Sequence, residues 1–151
     1  MRLLHGDLVN SEQTQIEVEL QWQEKMKVLT HVRDFNMILM DDKKMGEHAG
    51  PSPIEYFLSS IGSCMMMSFI YCLSLSRIHL NPDDFRVLVV GKLGRLDDRL
   101  RLINIEVDFI LKTTNDSPKI RKCFEKFQPF CILSESIKDG IPLSCDLKII
   151  E

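Results

Sequence analysis

The sequence predicts an α+β fold in which antiparallel sheets surround one long buried helix. Two observations carry that expectation. Apolar and polar residues alternate with period two in consecutive runs, and strands that follow one another directly favour antiparallel pairing over a parallel βαβ arrangement. Between the runs, residues 56–76 hold no charge across 21 positions. With 151 residues the chain has the size of one domain, 1–151, and should bury roughly 70% of its unfolded surface.

The first strand is expected over residues 15–23, where Ile16, Val18, Leu20 and Trp22 share one face and Gln15, Glu17, Glu19, Gln21 and Gln23 the other. That alternation describes a half-buried strand. After Glu24-Lys25, a second strand places Met26, Val28, Thr30 and Val32 on one side, and a third runs from Phe35 to Met40. Residues 41–52 are polar, with two glycines and a proline, and read as a loop. A helix follows from Pro53 to about Ser76: Ser52 suits the N-cap, Pro53 the first helical position, and Glu55 the acidic place of a capping box.

A helix apolar on most of its circumference is either a core helix or a membrane span. Six serines and Gly62 within 56–76, and sheets that need a cover, favour the core helix. Beyond Asn81-Pro82 come a strand starting at Phe85, a turn over Gly94–Asp98, and a return strand with Ile103, Ile105, Val107, Phe109 and Leu111 on one face. Ser117-Pro118 opens a second helix with Ile120, Cys123, Phe124 and Phe127 on its apolar stripe, ended by Pro129. A short helix over Cys131–Asp139 is closed by Gly140, and a last strand turns Cys145, Leu147 and Ile149 inward.

Apolar residues make up 44% and charged residues 27%, the balance of a folded globular chain. Nineteen basic against 22 acidic side chains leave a net charge of −3, which excludes a basic nucleic-acid footprint. The N-terminal Met1-Arg2-Leu3-Leu4-His5-Gly6-Asp7 turns polar after two leucines. It has no signal-peptide core, and a cytoplasmic location is expected. Five cysteines in that compartment are reduced thiols, not a disulfide framework. None forms a Cys-x-x-Cys pair or stands at zinc-finger spacing from a histidine, so no metal site is expected. Cys72, Cys123 and Cys145 read as packed apolar side chains, and Cys64 and Cys131 taken singly allow the same reading.

The stretch from Gly50-Pro51-Ser52-Pro53-Ile54-Glu55 to Ser63-Cys64 resembles the helix-opening motif of the OsmC/Ohr family, the osmotically inducible and organic hydroperoxide resistance proteins. The resemblance continues to Cys131, Ser134, Ile137, Gly140 and Ile141-Pro142, and covers residues 15 to 150. It implies an intertwined homodimer with two sites at the subunit interface and a thiol peroxidase activity on small organic hydroperoxides. Cys64 would be the nucleophile, Cys131 the resolving thiol and Glu55 the acidic partner. Glu55 is also accounted for by the capping box alone. The positive neighbour is open among Arg33, Lys25, Lys27, His31 and His48, with Arg33 the foremost. No bound cofactor is expected; an external dithiol or lipoyl-type reductant is. A second reading, from a different class, is a dimer of this fold whose interface pocket binds a small apolar or thiol-reactive ligand without turnover. A third is a membrane-associated protein using residues 56–76, and detergent-free solubility would eliminate it.

Overall fold

The computed structural model describes residues 16–42, 44–113 and 118–148. The expectations that rest on Met1–Asp7, Gln15, Ser117 and Ile149 lie outside those residues. The chain packs as two compact units that divide between Pro53 and Ile54.

The first unit is a meander of β1 (Glu19–Glu24), β2 (Lys27–Val32) and β3 (Phe35–Met40), in that spatial order. Both neighbouring pairs are antiparallel, with Trp22 opposite Val28 and Leu29 opposite Leu39. Lys25 and Arg33 open the two hairpin turns with positive φ, 49° and 52°. The expected half-burial of β1 is not met: Leu20 and Trp22 are exposed, and Trp22 spends its indole N–H on the Lys25 carbonyl at 2.9 Å. Alternation specifies which face wants cover, and nothing in the described chain supplies it there. The loop after β3 is organised by carboxylates. Buried Asp41 accepts the Glu47 and Ala49 amides, each at 2.9 Å, and Asp42 accepts those of Lys44 and Met45. A Cβ on Gly46 would fall 1.7 Å from the Asp41 carboxylate, so this loop needs glycine there.

The second unit is built on α1 (Pro53–Leu75) and a two-stranded antiparallel ribbon, β4 (Phe85–Leu96) and β5 (Arg99–Leu111). Asn81 accepts the Asp83 amide at the single 3-10 turn that leads into β4. The ribbon turns over only two residues, Asp97 and Asp98, both with positive φ. The turn expected over Gly94–Asp98 therefore shortens, and Gly94 lies inside β4. Two successive left-handed residues match the strand twist, which lets the ladder run to the tip. α2 (Pro118–Phe127) and α3 (Ile132–Asp139) follow, and Gly140 ends α3 in the left-handed conformation with φ 73°.

Close approach of α1 to β4 requires Gly62, where a Cβ would meet Val89 at 2.6 Å. Phe69 then fills the centre of the core. Its ring lies 5.5–6.0 Å from those of Phe85, Phe109, Phe124 and Phe127, mostly edge-on, with Leu73 and Cys123 closing the cluster. Edge-to-face aromatic packing of this kind adds about 0.5–1.5 kcal/mol per pair beyond area burial.

Two expectations are corrected. α1 is not buried on all sides: only Ile61, Gly62, Phe69 and Leu73 are, whereas Phe57, Met67 and Ile70 are exposed. One ribbon face and α2 can cover one stripe of a helix and no more. By length and composition alone α1 would be able to cross a membrane. The last strand is also absent: 141–148 hold no regular structure, and Leu143 and Leu147 are almost fully exposed. Alternation makes a strand only where a sheet edge accepts its backbone groups.

Candidate functional site: two thiols between α1 and α3

Cys64 sits in the middle of α1, and Cys131 is the N-cap of α3. The chain reaches Cys131 because Pro129 stops α2 in a tight 3-10 turn, Gln128–Phe130. Cys131 then donates its amide to the Gln128 carbonyl, while its own carbonyl accepts the Glu135 amide at 3.1 Å. This turn brings two thiols 67 residues apart in sequence to 3.5 Å, sulfur to sulfur. A disulfide would need them only about 1.5 Å closer. Cys131 is completely buried and Cys64 is half-buried.

The two sulfurs titrate as a pair, and their surroundings differ. Burial pushes the Cys64 thiol up, against the Leu133 and Ile132 amides at the start of α3, and the Cys131 thiol beside it adds to the rise. Cys131 feels burial too, but the Ser134 hydroxyl and amide, with Cys64 and Ser68, outweigh it and hold its thiol below the ordinary value. The amides at a helix N-terminus favour negative charge on sulfur. Of the two sulfurs, Cys131 is the one whose charged form its surroundings favour.

Ser68 was not singled out by the sequence, and Ser134 entered only as part of the family-like stretch after Cys131, without a role. Ser68 is one turn beyond Cys64 and donates to its carbonyl at 2.9 Å, and Ser134 caps back onto the Cys131 carbonyl at 3.3 Å. Serines at i+4 and i+3 from the two cysteines were the available signal, hidden among many serines.

Glu55 and Arg33 are placed as follows. Nine residues of helix put Glu55 half a turn round α1 from Cys64 and roughly 13 Å along its axis, so it does not share the thiol's face. Arg33 lies at the β2–β3 turn in the first unit, its guanidinium 5.1 Å from the Phe35 ring centroid. Lys25 and Lys27 of the same unit pair with Glu47, whose carboxyl they hold down at about 2. No group of three or more His, Cys, Asp or Glu side chains fit to hold a metal ion occurs among the described residues.

A second cysteine pair lies farther along α1. Cys123, in the aromatic core, donates to the Cys72 carbonyl at 3.4 Å and stands 3.2 Å from the Ser76 hydroxyl. Burial pushes the Cys72 thiol up, and Cys123 adds to it, against the charge of Lys126.

Residues 46–146, two thirds of the chain, match the family model described as OsmC-like protein. The chain belongs to the OsmC-like family. Solved structures agree with the fold of this OsmC-like chain. An OsmC-like protein from Mycoplasma pneumoniae superposes with a TM-score of 0.70 at 16% identity, covering 85% of this chain and 89% of its own. An OsmC-like protein of unknown function from Vibrio cholerae gives 0.68 at 14%, covering 82% and 94%. The organic hydroperoxide resistance protein of Bacillus subtilis gives 0.54 at 12%, covering 84% and 93%. Identities this low speak for the fold alone. No curated protein sequence matches the OsmC-like chain.

Proposed function

We propose that this OsmC-like protein is a thiol peroxidase that reduces small organic hydroperoxides, with Cys64 as nucleophile and Cys131 as resolving thiol. The observation that carries the reading is the 3.5 Å approach of the two sulfurs, one in a half-buried residue and one in a completely buried one. Cys64, the less buried of the two, meets the peroxide. Cys64 loses its proton to solvent; the Cys64 thiolate attacks the distal oxygen, the O–O bond breaks, and the alkoxide takes a proton back from solvent and leaves as the alcohol. Cys64 is then a sulfenic acid. Cys131 displaces its oxygen as water and closes the disulfide, which protects Cys64 from further oxidation. An external dithiol, of the lipoyl type, returns the two electrons by thiol–disulfide exchange.

The active form in this reading is a cytoplasmic homodimer. Support comes from the apolar surface left open on one chain: β1, the Met67–Ile70 side of α1, and the 141–148 segment. Glu55, half a turn from its own Cys64, would serve the thiol of the second copy, and Arg33 would supply the cation. Sedimentation equilibrium checks the dimer, and a monomer at micromolar concentration would remove it.

The raised Cys64 thiol favours a second reading, a dimer that binds a small apolar or thiol-reactive ligand in its interface pocket without turnover. Steady-state consumption of cumene hydroperoxide with dihydrolipoamide as reductant separates the two. Multiple turnover that disappears in Cys64→Ser supports the peroxidase. Stoichiometric adducts at Cys64 with no alcohol released support the binder.

A further inference from the structure

Beside the Cys72–Cys123 pair the second unit opens a groove of about 760 Å³ between α1 and α2. That volume is in the range of small-molecule sites. Its composition is uneven. Three lysines of α2, Lys119, Lys122 and Lys126, line it, and no aspartate or glutamate does among the described residues. Positions i, i+3 and i+7 lie on one helix face, so the lysines form a stripe roughly 10 Å long. The rest of the lining is mainly apolar. Phe130 is 80% exposed and Leu75 68%, so large hydrocarbon surfaces stand open beside three cations. Cys72 lies in the wall.

A net charge of −3 makes such a concentration of lysines a local exception in the chain. An apolar surface rimmed by cations is complementary to one kind of small ligand: a hydrocarbon body ending in an anionic head. Neutral apolar molecules bring no charge to meet the lysines, and a small inorganic anion would leave Leu75 and Phe130 uncovered. We propose that this groove is a binding site for an alkyl carboxylate, the carboxylate on the Lys119–Lys122–Lys126 stripe and the chain along Leu75 and Phe130, over Cys72. The groove is centred on Cys72 and adjoins the Cys64–Cys131 pair at Ser68, but neither of those two cysteines lines it. Long-range attraction from the stripe makes binding weaken with salt.

Cys72 provides a local reporter. The reduced full chain is alkylated with iodoacetamide at about pH 8.5, where part of the thiol ionises, with and without dodecanoate below its micellar concentration, and labelling is mapped by peptide mass. Dodecanoate should slow Cys72 alkylation roughly tenfold at saturation and leave exposed Cys145 unchanged. Dodecanol at equal concentration should protect much less. In Lys122→Gln/Lys126→Gln, both substitutions being on exposed side chains, the dodecanoate concentration for half protection should rise roughly tenfold. Equal protection by dodecanol, or unchanged protection in the double variant, would overturn the proposal. So would protection appearing at Cys64 in place of Cys72. Shielding of Cys72 that needs no dodecanoate and grows with protein concentration would assign the groove to a second copy of the chain, and would equally overturn it.

Discussion

Cys64 and Cys72 lie eight residues apart on α1, and each meets a cysteine from the helices that follow the ribbon. Cys64 meets Cys131 at a helix N-terminus, among the Ile132 and Leu133 amides and the hydroxyls of Ser68 and Ser134. Cys72 meets Cys123 beside an aromatic cluster, where its one opposing influence is the charge of Lys126. Burial pushes up the thiols of both Cys64 and Cys72, while the partner of Cys64, Cys131, is held below its ordinary value. Two cysteine pairs on one helix thus differ by what surrounds them. Donors fixed by a helix start favour the charged form of a thiol; phenylalanine rings make a packing residue.

The largest expected effect separates the pairs outright. Cys64→Ser should lower peroxide consumption at least about a thousandfold, to the rate of free reductant, because a hydroxyl at that place is not a nucleophile toward peroxide. Rapid-mixing assays with cumene hydroperoxide check this, and retained turnover would move the nucleophile elsewhere. Cys131→Ser should permit one turnover and then gain oxygen at Cys64, seen by mass as sulfinic acid. In the second pair the expected loss is in stability. Cys123→Ser places a hydroxyl in the phenylalanine core and should cost about 1–3 kcal/mol in denaturant unfolding. Ser134→Ala removes a donor beside Cys131, so its thiol should titrate higher, and disulfide closure near neutral pH should slow several-fold. The sign follows from the donor stabilising the charged form: the loss is greatest below the thiol's new value and vanishes as pH rises above it. Cys145→Ser, in the exposed 141–148 segment, should change the rate less than about twofold.

Much of this was legible in the residues. Alternation located β1, β2, β4 and β5, a short apolar run located β3, Pro53 and Pro118 located the helix starts, and Gly140 the end of α3, because each signal is local. The Cys64–Cys131 pairing came from resemblance, since contact across 67 residues leaves no mark in spacing. Ser68 was missed for the same reason, Ser134 was named in the resemblance without a role, and Cys123 was read as packing alone although its sulfur also reaches Ser76 and the Cys72 carbonyl. The errors share a cause. The all-round apolar character of α1 and the alternation of the last segment report a demand for cover and pairing that this single chain leaves unmet. Sequence periodicity specifies the face that needs a partner without specifying the molecule that provides it.

The central claim is that Cys64 and Cys131 act as one redox unit and that Cys72 and Cys123 do not. One equivalent of cumene hydroperoxide, mixed with fully reduced protein and followed by intact mass and peptide mapping, tests it directly. The account predicts rapid loss of two hydrogens, mapping to a Cys64–Cys131 disulfide. Thiols that stay reduced for minutes at neutral pH, or a disulfide mapping to Cys72–Cys123, would contradict it.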